Sequence, residues 1–158
     1  MKPAAPSFPE RATLVRRASA RLCLALGWVP LHEVRLPNHR RADILALRGD
    51  GGMVCIEVKS GLRDFQTDGK WPEYLEYADA LYFAVDADFP RDILPVEAGL
   101  IVAHGREAAI LREAPEEKLP PARRRALLLH CARLAGSRLA AHEDPEGVAE
   151  LAAALRIE

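Results

Sequence analysis

Glu57-Val58-Lys59 sits at the end of the run MVCIEVK, residues 53–59. Side chains alternate along a strand, so a carboxylate and an ammonium two residues apart project from one face, with Ile56 and Val58 on the other. Alone, that spacing describes a solvated ion pair as readily as a site. A second acid changes the balance. Asp43 lies in RADILAL, residues 41–47, which is otherwise apolar beyond Ala42. An acid there is expensive to bury unless it binds a cation or accepts hydrogen bonds. Gly49-Asp50-Gly51-Gly52 between the two runs is a turn signal, so the runs are expected to form a hairpin with Asp43 and Glu57 on neighbouring strands. Two converging carboxylates, completed by backbone and water oxygens, suit Mg²⁺ or Mn²⁺, with Lys59 beside the ion.

The elements that must position these residues are legible from punctuation and period. Ser7-Phe8-Pro9-Glu10 reads as a capping box, and Gly27 closes the helix it opens. Between them Leu14, Val15, Ala18, Leu22, Ala25 and Leu26 recur at helical spacing, with Arg16, Arg17 and Arg21 largely off the stripe and open to solvent or phosphate. Residues 28–36 form a weaker strand, because Pro30 favours an edge or a strand start. After Ser60-Gly61, a short helix over 71–78 with Pro72 in its first turn precedes a buried strand at 80–86. Residues 99–104 and 107–112 flank Gly105-Arg106 as a further hairpin, and helices over 121–141 and 145–156 end the chain. The expectation is one mixed α/β domain over 1–158, a central sheet flanked by helices. Its core spans about 8–86, with an extra hairpin and C-terminal helices over 99–156.

Composition agrees with a globular chain. Of 158 residues, 49% are hydrophobic and 28% charged, and no apolar stretch is long enough to cross a bilayer. The first residues, MKPAAPSFPERATL, carry prolines and an acid where a signal peptide needs an apolar run, so a cytoplasmic location without membrane attachment is expected. Cys23, Cys55 and Cys131 are odd in number and far apart, which suggests small buried hydrophobes rather than a disulfide framework or a zinc site. The five histidines show no metal-ligand spacing. Net charge is only -1, but residues 1–48 hold nine Lys and Arg against three acids, while 49–117 hold six against fifteen. That asymmetry fits either uneven solvated faces or a basic surface for phosphates beside an acidic pocket for a cation.

Arg41-Ala42-Asp43 followed by Ile56-Glu57-Val58-Lys59-Ser60 resembles the PD-(D/E)XK nuclease superfamily, and the element order from residue 8 to residue 86 is similar to its restriction-endonuclease-like core. More narrowly, RRADILAL, IEVKSG, DFQTDGKWPEY and YFAV are similar to the MmcB-like DNA repair family. The resemblance implies that Asp43, Glu57 and the Val58 carbonyl ligate the divalent metal. It also implies that Lys59 orients the attacking water and that the activity is hydrolysis of DNA in repair. By this reading Glu10 is the accessory-acid candidate from the first helix and Glu33 on the first strand is the alternative, with Asp64, Asp68 and Lys70 bordering the pocket. Arg35, His39, Arg40 and Arg41 precede Asp43 and could hold phosphates, whereas Trp71 and Tyr74 offer rings that either stack on bases or fill the core. Arg123-Arg124-Arg125 has no fixed relation to the site. A non-catalytic module of the same fold, holding DNA or a repair-protein partner, is the competing expectation. A small-molecule enzyme is disfavoured, since no Gly-rich nucleotide loop or nucleophile elbow is present. The oligomeric state is not legible.

Overall fold

The computed structural model describes residues 4–67 and 69–156. Two compact units divide the chain, Met1–Pro120 and Pro121–Glu158. The first opens with helix α1 (Phe8–Ala25) and contains six strands: β1 (Val29–Arg35), β2 (Arg41–Leu47), β3 (Met53–Val58), β4 (Ala80–Asp86), β5 (Gly99–His104) and β6 (Glu107–Arg112). They lie in sequence order in a single sheet. β1, β2 and β3 run antiparallel, β3, β4 and β5 run parallel, and β6 returns antiparallel to β5. The sheet is therefore mixed, as the sequence predicts.

Local chemistry sets the boundaries of α1. Glu10 reaches back to accept the Ser7 N–H at 2.6 Å, and Pro9 occupies the first turn, where a missing N–H is harmless. At the other end Gly27 takes φ +75, and the Trp28 N–H bonds back to the Cys23 carbonyl at 2.8 Å. That is the left-handed turn by which helices commonly stop. The buried stripe is narrower than expected. Val15, Ala18 and Cys23 meet Ile44, Ala46, Val54, Ile56, Tyr82, Ala84 and Ile101 of the sheet, whereas Leu14 and Leu26 are exposed. Small side chains on the helix let it approach a sheet face rich in branched residues.

The β2–β3 hairpin closes where the glycines predict. Arg48 N–H donates to Gly52 O at 2.8 Å, Gly52 N–H donates to Asp50 Oδ1 at 2.8 Å, and Gly51 takes φ +86. Gly99 meets a different demand, since a Cβ there would fall 2.3 Å from the Tyr82 ring. The far face of the sheet builds a second cluster around Phe83, Val85, Phe89, Leu94 and Leu100.

Between β3 and β4 the structure departs from the expected helix over 71–78. Helix α2 (Leu62–Thr67) comes first, and Trp71–Glu76 then forms a 3-10 turn with Pro72 near its start. Few residues lie between Gly69 and the strand, which favours the tighter form. The second unit consists of α3 (Pro121–Glu143) and α4 (Pro145–Ala154), with Asp144 Oδ1 accepting the Gly147 N–H at 3.0 Å to start α4. Among the described residues no helix is long and apolar enough to cross a membrane.

Candidate active site

The regular ladder between β2 and β3 runs from Leu47↔Met53 to Ile44↔Ile56. Continued by one step, the same register sets Asp43 opposite Glu57. Side chains take over from the backbone there. The Asp43 N–H donates to Glu57 Oε1 at 3.1 Å, and the Val58 N–H donates to Asp43 Oδ2 at 2.8 Å. Each carboxylate thus satisfies a main-chain donor on the opposite strand, a group that would otherwise cost about 1–3 kcal/mol if buried unpaired. The strands end their backbone pairing where the two acids meet.

Glu57 is 4% exposed and Lys59 5%, uncommon burial for charged residues that no purely apolar core would tolerate. Loss of water pushes the Glu57 carboxyl up to about 8, with the neighbouring Asp43 charge adding to the rise; the Asp43 N–H, Lys59 and a hydrogen bond from Tyr74 oppose it. Burial also raises Asp43, against the Val58 N–H bond and the Lys59 charge. Lys59 is fixed at its backbone by donation to Ala84 O at 3.0 Å, and its ammonium lies 3.9 Å from Asp64 Oδ1. Asp64 Oδ2 in turn accepts the Ser60 N–H at 3.3 Å.

A cavity of about 720 Å³ opens over this group. Asp43, Glu57, Val58 and Lys59 line it together, joined by Glu33, Arg35, His39, Arg40, Arg41 and Tyr74 from the predicted set. Three other predicted residues that the structure describes are not among them. Glu10 is held in the capping box and lines a separate hollow beside the start of α1. Lys70 is exposed and off the cavity wall, and Trp71 stands edge-on to Phe83 at 5.8 Å in the second core cluster. Asp68 lies outside the described residues. Tyr74 is only 5% exposed, so its ring has no free face on which a base could stack.

Asp64 of α2, expected at the border of the pocket, lines it as well, and the wall also contains residues that the sequence did not tie to the site: Arg16 and Thr13 reach it from α1. Arg16 was legible only as one of three arginines off the apolar stripe. The structure separates the three: Arg16 Nη1 lies 3.7 Å from Glu33 Oε1, Arg17 lines the hollow at the start of the helix, and Arg21 donates to Arg106 O at 3.3 Å. Glu33 takes φ +50 within β1 and is skipped by the β1–β2 pairing on either side of it. A left-handed glutamate in a strand is strained, and nothing in local sequence announces it.

Among the described residues no group of three His, Cys, Asp or Glu converges as a ready metal cage. Two neighbouring carboxylates, Glu57 buried and Asp43 half-buried, whose charges repel are nevertheless a donor set that a hard cation would relieve, and Mg²⁺ commonly takes one or two carboxylates while keeping water and phosphate oxygens. The residues present fit such an ion, with Asp43 and Glu57 as its holders and the Val58 carbonyl as the third ligand that the sequence resemblance implies.

Three comparisons with known proteins bear on this site. The family described as DNA repair protein MmcB-like matches residues 3–146. Among solved structures, the SPO1766 protein of unknown function from Silicibacter pomeroyi is 43% identical, with a TM-score of 0.82 over 87% of this chain and 94% of that one. A repair endonuclease from Pyrococcus abyssi overlaps 67% of this chain and 43% of its own at 17% identity, but its TM-score of 0.33 carries no weight. No curated protein matches.

Proposed function

This chain belongs to the MmcB-like DNA repair protein family, and from that premise we propose that it is a metal-dependent nuclease of the PD-(D/E)XK type, hydrolysing phosphodiester bonds in DNA. One observation carries the reading: Asp43 and Glu57 meet across two strands beside the buried Lys59, in a single cavity walled by arginines.

Asp43 and Glu57 would hold Mg²⁺ or Mn²⁺, which supplies positive charge to a phosphoryl oxygen and lowers the pKa of water. The remaining work falls to this chain's own groups. The Lys59 ammonium, kept from bulk water, is placed to orient the attacking water and to offset charge developing on the phosphate. Arg16, Arg35 and Arg41 on the wall supply planar donors for flanking phosphates, and the β2–β3 backbone fixes the two acids at a set spacing. The test is cleavage of a panel of single-stranded, flapped, branched and duplex DNA with Mg²⁺ or Mn²⁺. Asp43→Ala and Lys59→Ala should abolish cutting while the fold survives. A wild-type protein that cuts nothing on the panel and shows no saturable Mn²⁺ binding sinks the proposal.

A second reading draws on the reciprocal bonds themselves. Because Asp43 and Glu57 each satisfy a backbone amide without any ion, the same arrangement would serve a non-catalytic module that holds DNA or a repair-protein partner. DNA binding that persists in both variants, with no cleavage by the wild type, would select it.

A further inference from the structure

Resting on the DNA-site reading above, we propose that Arg16 on α1 seats a DNA backbone phosphate beside the metal site, and that Glu33 is the positioning residue that holds its guanidinium by one edge. The left-handed backbone at Glu33 then serves to turn a carboxylate toward the helix rather than toward an ion.

The pairing of β1 with β2 keeps one register on either side of a gap, with His32 opposite Ile44 and Val34 opposite Ala42. Position 33 in that gap falls opposite Asp43, which the next ladder sets opposite Glu57. Glu33, Asp43 and Glu57 therefore occupy one row across neighbouring strands, each step about 5 Å. Such a row could share a cation, yet among the described residues no three acids are grouped to hold one. Glu33 instead takes φ +50, and its Oε1 stands 3.7 Å from Arg16 Nη1. Both residues line the cavity that holds Asp43 and Glu57. Stability gives no reason for this pair. Its side chains are 30% and 52% exposed, which places it among the ion pairs that contribute least, whereas a left-handed non-glycine residue in a strand is strained. What the pair achieves is orientation. A long arginine side chain loses rotamer freedom when it binds, and a carboxylate on one edge of its planar fork removes that freedom beforehand. Among the described residues the Arg16 guanidinium makes no other ion pair or hydrogen bond, which leaves its other donors to a phosphate. Arg40 on the same wall is the contrast, since its Nε is bound to Glu73 Oε2 at 2.8 Å.

Simple electrostatics and positioning predict opposite signs. Removing a negative charge from a site for a polyanion should tighten DNA binding, whereas removing a carboxylate that aims an arginine should weaken it. The full chain carrying Glu33→Gln, Arg16→Ala or both is compared with wild type. Binding of a single-stranded and a duplex oligonucleotide is followed by fluorescence anisotropy at several salt concentrations, beside cleavage with Mn²⁺ and thermal melting. Arg16→Ala is expected to bind about tenfold more weakly, with a salt slope lower by about 1. Glu33→Gln should bind about threefold more weakly, with the loss in KM and with kcat and melting midpoint unchanged. In the Arg16→Ala background the same substitution should leave binding unchanged or strengthen it. Glu33→Gly, which accepts φ +50 without strain, should melt no lower than wild type yet bind as weakly as Glu33→Gln. If Glu33→Gln alone binds as tightly as wild type or more tightly, the proposal is overturned and the nuclease reading stands. An equal loss with and without Arg16 overturns it too. A wild type that binds these oligonucleotides but cuts nothing removes the nuclease reading, while the sign of the Glu33→Gln effect still decides this proposal. No binding to either oligonucleotide overturns both.

Discussion

Two places in this sheet bury an acid, and they solve the problem differently. Asp79, just before β4, is 1% exposed, and its carboxylate accepts the Met53 N–H at 2.6 Å and the Leu119 N–H at 2.8 Å. Its backbone is occupied too, donating to Met53 O at 2.8 Å and accepting the Glu117 N–H at 2.9 Å. That acid is a staple, absent from the cavity wall. At the opposite end of β3, Asp43 and Glu57 also accept main-chain donors, but they face each other, crowd their charges and open on a hollow beside an amine. Burial of a carboxylate does not by itself mark chemistry. What separates the two is convergence: like charges placed together gain only when something positive arrives.

Substitution should break the two ends in opposite ways. Glu57→Gln is expected to reduce cleavage by about 10²–10³-fold, on the scale of losing one preorganised electrostatic group, while leaving the melting midpoint unchanged or raised. Asp79→Asn should do the reverse. It sets an amide against buried backbone donors and is expected to lose about 2–4 kcal/mol of stability, with Mn²⁺ affinity of the folded fraction intact, as denaturant unfolding and calorimetry would show. If Asp79→Asn abolishes metal binding in folded protein, the two ends are not functionally distinct.

The contrast extends to pH. The Glu57 carboxyl sits near 8 in the folded chain against an ordinary value of 4.5, so the native state keeps a proton that the unfolded chain releases. More protons on the native side means that stability falls as pH rises between those values, and the full contribution is present only below the lower one. Melting midpoints measured without divalent cation should therefore drop across that window. The drop should shrink in Glu57→Gln and with Mn²⁺ present. The smallest effect belongs to the wall. Arg16→Ala or Arg35→Ala should weaken DNA binding evenly across sequences and reduce the salt slope by about 1 each, a result read from binding isotherms at several salt concentrations.

Much of this end of the sheet was legible beforehand for a simple reason. Strand alternation, a glycine turn and an acid in an apolar run are all local signals, and together they place Asp43, Glu57 and Lys59 on one face. The surroundings of Tyr74 were not legible, because its hydroxyl donates to the Arg41 carbonyl and Glu73 pairs with Arg40, each across 33 residues of sequence. A ring near a predicted site reads equally as stacking surface or packing until its burial is known. Glu10 had two uses open to it, and the capping box, a contact three residues away, took it. Glu33 and His39, at φ +50 and +66, hold conformations imposed by tertiary surroundings on residues whose own preference lies elsewhere.

The sheet's connectivity also bears on the order in which the site is assembled. The two acids belong to a hairpin, the kind of short-range closure that forms early and quickly. Lys59, by contrast, is anchored to Ala84 on β4, a parallel neighbour reached only after the chain has crossed over through α2 and the 3-10 turn. A nascent or partly unfolded molecule with β4 unseated would own its carboxylates but lack the anchored amine. If the proposed nuclease reading holds, hydrolytic competence would be the last thing the chain acquires.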